Sequence, residues 1–147
     1  MERRARKLRS KGRVVIEASE PILGHVSADI LRDGGYKVEL CGGPDHLRCP
    51  LLAGDACRLL SKADAVIFCL PLGRPKNRAV LRVMAISYPR VGVCMIAPPA
   101  GGLAGRGLLC GRELVPRSLE REQLLESVEA AIARVRTAPP GARQGGH

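Results

Sequence analysis

The sequence predicts an α/β domain in which five parallel strands form one doubly wound sheet with helices on both faces. Three observations predict it. Short β-branched or apolar runs alternate along the chain with segments of helical period. Two of the runs, Ala65–Leu70 and Val91–Ile96, carry no charged residue, the mark of strands covered on both faces. Gly and Pro punctuate the joints between runs. Right-handed crossovers and short connections leave the flavodoxin-like strand order as the natural solution for about 120 such residues.

Taken in order, Arg13–Ala18 (RVVIEA) is the first strand. Ser19-Glu20-Pro21 opens a helix, with Pro in the position whose N–H needs no partner. Ile22, Val26 and Ile30, with Leu23 and Leu31 beside them, are the expected core face of that helix, and Gly34-Gly35 ends it. Tyr36–Leu40 alternates and reads as the second strand. Cys41–Ala56 has no period, and Ala56–Lys62 is one or two helical turns. Ala65–Leu70 is the third strand, broken by Pro71-Leu72-Gly73. Asn77–Ser87 is the next helix, packing through Val80, Leu81, Met84 and Ala85. Val91–Ile96 is the fourth strand, and the Gly/Pro content of 98–107 predicts that the helix after it is short or irregular. Arg112–Val115 is the last strand. Ser118 caps a final helix with Leu124, Leu125, Val128, Ala131, Ile132 and Val135 as its core stripe. Glu120 and Glu122 at its start and Arg134 and Arg136 at its end suit the helix dipole.

With 147 residues, 46% of them hydrophobic, the chain is one domain with a core of its own. Aromatic residues make up only 2%, which argues against stacking as a way of gripping bases or sugars. No run is long enough to span a bilayer, and Met1–Arg13 lacks the apolar stretch of a secretory signal, so a cytoplasmic location is expected. The net charge of +10 is concentrated at the start: residues 1–13 carry seven Lys/Arg against one Glu. The expected organisation is a basic arm over 1–12, the α/β domain over 13–136 and a Pro/Gly-rich tail over 137–147. Such an arm solubilises the chain, or touches nucleic acid weakly and in a salt-dependent way.

Over Arg13–Arg136 this pattern resembles the receiver domain of bacterial response regulators. The residues that carry the resemblance are Val14-Val15-Ile16 with Glu20-Pro21, the run Leu31–Val38 with its Gly35-Tyr36, Ala63–Phe68 followed by Leu70-Pro71, and Gly111 with Leu114–Arg117. It implies a receiver-like fold, a bacterial source and a role in phosphorelay signal transduction. The same comparison implies that the chemistry is lost. The acidic pair that holds Mg²⁺ falls on Ala18 and Ser19, the phosphoacceptor Asp on Cys69, the switch hydroxyl on Ala97 and the Lys on Pro116, with Arg117 one place away. A thiolate does not replace a carboxylate that forms an acyl phosphate beside a hard cation. The reading is therefore a pseudo-receiver, not an enzyme, that binds another regulatory protein and needs no cofactor.

Two other segments offer chemistry. Cys41, His46, Cys49 and Cys57 place three thiols and an imidazole within 17 residues, a donor set suited to Zn²⁺, although the spacing matches no paired C-x2-C finger. The same thiols could form a redox pair, Cys41 with Cys49 or Cys49 with Cys57. Cys69 and Cys94 read as small buried hydrophobes. Gly101, Gly102, Gly105 and Arg106 form a loop after a strand that could cradle a phosphate or nucleotide, but it lacks the ending of a P-loop.

Overall fold

The computed structural model describes residues 10–45, 48–96, 113–115 and 120–137. It contains β1 (Arg13–Glu17), α1 (Pro21–Asp33), β2 (Lys37–Cys41), α2 (Arg58–Ser61), β3 (Ala65–Phe68), α3 (Pro75–Ser87), β4 (Gly92–Ile96), β5 (Glu113–Val115) and α4 (Arg121–Thr137). The strands lie in the order β2-β1-β3-β4-β5 and all pair in parallel. The short β5 joins β4 through Cys94↔Glu113 and Ile96↔Val115. The helix expected after β4 falls in 98–107, outside the described residues.

Strand alternation divides the core into two layers. Val14, Ile16, Ala65, Ile67 and Cys94 face α1 and α4, where Ala28, Leu31, Leu124, Val128 and Ile132 meet them. Val15, Val66, Phe68 and Met95 face the other way, against Leu60 of α2 and Val80, Leu81 and Met84 of α3. Helices thus cover both faces, so β3 is apolar throughout and β1 is apolar at its three central positions, where neither face sees water. Gly92 marks a close approach: a Cβ there would stand 2.6 Å from the Ala131 carbonyl oxygen, so only glycine lets α4 lie this near β4.

The core face of α1 differs from expectation. Gly24, Ser27, Ala28 and Leu31 are buried, whereas Ile22 is 80% and Val26 43% exposed. Ile30 is only half-buried, at the margin of the core. The reason is the distance between helix and sheet. Small residues let α1 settle close, so that a Cβ on Gly24 would touch Ala18 and Leu40 at 3.5 Å. Larger side chains at Gly24 or Ala28 would hold that end of the helix away, so Ile22 and Val26 lie at its flanks and Leu31 alone supplies bulk on this face. The Ser27 hydroxyl, buried on this face, donates to the Leu23 carbonyl at 2.8 Å. In α3 the stripe holds at Val80, Leu81 and Met84, but Ala85 is exposed, and the helix begins earlier, with Pro75 in its first turn.

The ends of the domain also shift. Lys11 N–H donates to Gly35 O and Lys37 N–H to Gly12 O, both at 2.9 Å, so two residues expected in the arm belong to the fold. Thr137, expected in the tail, is the last residue of α4 and its hydroxyl donates to Ala133 O at 2.9 Å. Among the described residues no helix is long and apolar enough to cross a membrane.

The α1 geometry has a direct test in urea unfolding. Leu31→Ala is expected to cost about 3 kcal/mol, the range for a buried leucine. Ile22→Ala is expected to stay within about 0.5 kcal/mol of the parent. The reverse ranking would restore the face on which Ile22 and Val26 are core.

Candidate functional site

In doubly wound sheets, ligands sit outside the carboxyl ends of the strands. Here that edge is built by the residues that follow β1, β2 and β3. Glu17 pairs with Phe68 on one side and Cys41 on the other. The next step is fixed by two backbone bonds: Cys69 N–H donates to Glu17 O at 2.8 Å and Ala18 N–H to Cys41 O at 3.0 Å. Ala18 and Cys69 therefore stand level at the edge, and both pack, half-buried, against the layer under α1 and α4. Ser19 is half-buried in the turn before α1, and Glu20 is exposed at the helix start, with no side-chain cap bond.

Glu17 is the one described carboxyl drawn into this edge, and it takes the opposite face, that of Val15. It is 4% exposed, and its Oε2 has no hydrogen-bond partner among the described residues. Burial pushes its pKa from 4.5 to about 7. Burial likewise pushes the Cys41 thiol up; Glu17, Cys49 and Cys57 act in the same direction, and a bond from the Gly43 backbone opposes them. The chain after β2 then closes over this corner. Gly43, at φ +88°, is buried against Leu70, and a Cβ there would meet Leu70 Cδ2 at 2.8 Å. Beyond it, Arg74 Nη1 donates to Asp45 Oδ2 at 2.7 Å, tying the β2–α2 loop to the β3–α3 loop. Two further bonds hold the β3–α3 loop from below: Asn77 Nδ2 to Pro71 O at 2.8 Å and Arg78 Nη1 to Leu72 O at 2.6 Å.

The candidate metal set is brought partly together. Cys41, Cys49 and Cys57 are half-buried free thiols that pack against the same apolar layer, over α2 and α3. The Cys57 N–H donates to the Tyr88 hydroxyl at 2.9 Å, which fixes that end of the loop. Among the described residues no three His, Cys, Asp or Glu groups converge as a metal would require. His46 lies outside the described residues, as do Ala97, Pro116 and the Gly101, Gly102, Gly105 and Arg106 loop. Cys94 is fully buried, as expected of a small hydrophobe, and its thiol donates to Ser127 O at 3.3 Å. Cys69 is only half-buried.

Sequence reasoning did not foresee how deeply Glu17 is buried. The signal was present, since the carboxyl directly continues the apolar run Val14-Val15-Ile16. The Asp45–Arg74 tie joins loops 29 residues apart, and no local pattern marks it.

The buried carboxyl makes stability depend on pH. Its folded pKa of about 7 exceeds the reference 4.5, so the fold binds this proton more tightly than the unfolded chain does. The contribution is complete below pH 4.5 and is lost as pH rises through 7. It amounts to on the order of 3 kcal/mol at this degree of burial. Denaturant melts across that window are expected to show Glu17→Gln gaining on the parent as pH rises. A difference independent of pH would mean that Glu17 titrates as an ordinary exposed carboxylate.

No known family's sequence profile matches the chain, and no curated protein matches it in sequence. Solved structures do match its shape. NtrX from Brucella abortus, determined in complex with ATP, superposes with a TM-score of 0.67 at 16% identity over 85% of this chain. The chain spans 28% of the length of that protein. A response regulator receiver domain protein from Clostridium thermocellum gives 0.63 at 17% identity, over 84% of this chain and 96% of its own. The receiver domain of the sensor histidine kinase PA1611 from Pseudomonas aeruginosa PAO1, with magnesium coordinated in its active site cleft, gives 0.63 at 17% identity, over 83% of this chain and 98% of its own. The fold of this chain is receiver-like.

Proposed function

We propose that this chain is a receiver-like domain that has lost phosphoryl transfer and acts in signal transduction or regulation by binding another protein. One observation carries the reading: β1 and β3 end level with each other in Ala18 and Cys69. At this edge a receiver needs oxygen ligands for a hard cation and a carboxylate to accept the phosphoryl group. Ala18 offers neither, Ser19 offers one hydroxyl, and the thiol of Cys69 is a soft donor. Glu17 does not fill the gap, because it is buried on the other face and holds its proton up to about pH 7. With the chemistry gone, the use left for a receiver-like scaffold is recognition of a partner, and regulation rather than catalysis is its role.

A second reading has its own observation. Cys41, Cys49 and Cys57 share one apolar layer, so a disulfide between two of them would close the β2–α2 loop on itself. Thiol counting with and without peroxide tests it: loss of two thiols per chain supports a redox sensor, and an unchanged count excludes one.

The main proposal is tested by incubating the chain with Mg²⁺ and acetyl phosphate and weighing it intact. No phosphoryl increment is expected, and recovery of partner proteins on the immobilised chain is expected to be the same with and without the phosphodonor. A phosphoryl increment on the parent chain would overturn the proposal.

A further inference from the structure

A groove at the opposite corner of the sheet takes no part in the edge described above. It encloses about 390 Å³ between the start of β1, the start of β2 and α2. Four cations line it: Arg13, Lys37, Arg58 and Lys62, facing one carboxylate, Glu39. Arg13 and Lys37 are register partners at the heads of neighbouring strands. Arg58 and Lys62 are four apart on the helical turn, so both project on one side. All four are exposed.

What distinguishes them is that four cations share one cleft; several of the other cations of the fold are paired. Lys11, Arg48, Arg74, Arg121 and Arg136 each meet a carboxylate within 4.0 Å. None of the four groove cations forms an ion pair with any described residue. Like charges gathered in one cleft repel one another and raise the local potential, an arrangement that an anionic ligand relieves. Arg13 is also the point at which the basic segment enters the sheet. Six further Lys/Arg precede it, at positions 3, 4, 6, 7, 9 and 11. Four cations around one cleft call for an extended polyanion rather than a single phosphate. The cleft is concave, which suits a phosphate chain better than a flat lipid surface. Its lining holds no aromatic side chain, so contact falls on the backbone and not on stacked bases.

We infer that the groove of Arg13, Lys37, Arg58 and Lys62 binds the phosphate backbone of a nucleic acid, without reading its sequence.

Fluorescence anisotropy of the full chain with short labelled DNA of mixed sequence, single-stranded and duplex, tests this. Binding is expected to be sequence-independent and to weaken from roughly 50 to 200 mM KCl. In Arg58→Ala/Lys62→Ala the salt-induced loss over that range is expected to shrink by about tenfold, the effect of two phosphate contacts removed. Glu39→Gln is expected to tighten binding. Both changes are at exposed positions, and circular dichroism checks that the fold is kept. Three outcomes would overturn the inference: no DNA binding at low salt; binding unchanged in Arg58→Ala/Lys62→Ala but lost in Lys7→Ala/Arg9→Ala, which assigns it to the arm alone; or displacement of DNA by ATP or poly-glutamate at equal charge, which assigns the groove to small polyphosphates or acidic peptides.

Discussion

The pairing of β1 with β3 is the constraint on which the rest of the structure depends. Both strands are buried on both faces, from Val14↔Ala65 to Glu17↔Phe68. A slip of one residue would exchange the two core layers and set every large side chain against the wrong helices. That register alone decides what reaches the carboxyl edge: Ala18 level with Cys69, and Glu17 turned into the layer with Val15 and Phe68. The chemistry available at the edge follows from strand geometry before any loop is considered.

Much of this architecture was legible in the residues. Val14–Ile16, Ala65–Phe68 and Val93–Ile96 announce buried strands because a strand covered on both faces has no polar positions to spare. The stripe of α4 was legible for the converse reason: one face of that helix is wet, so its period shows. The face of α1 was not. Of its contact surface only Leu31 was foreseen; the rest is Gly24, Ser27 and Ala28, where residue size, not hydrophobicity, governs a close approach. Apolar periodicity therefore selected Ile22 and Val26, which flank the contact. At the candidate site, Ala18 and Cys69 come directly after β1 and β3, which end one residue and two residues earlier than the apolar runs suggest. The burial of Glu17 and the Asp45–Arg74 tie depend on a loop folding back over the sheet, and no local spacing encodes that.

The two ends of the sheet are treated differently. At the carboxyl end of β1–β3, Gly43 and Leu70 close the corner beside a carboxyl whose pKa burial raises to about 7, and the exposed Arg74–Asp45 pair lies across it. Such a surface pair contributes at most about 1 kcal/mol, so packing rather than charge keeps this corner shut. At the amino end of β1 and β2 the surface is open, concave and cationic. This cationic cleft lies away from the position where doubly wound folds commonly place their ligands.

That account rests on the carboxyl edge having no affinity for a hard cation. Titration of the isotopically labelled chain with Mg²⁺, followed by amide chemical shifts, measures it directly. The amides of Glu17, Ala18, Ser19 and Cys69 are predicted to stay in place through the titration. Saturable shifts confined to those four would show that the edge holds magnesium, and would contradict the reading of a receiver-like fold without its chemistry.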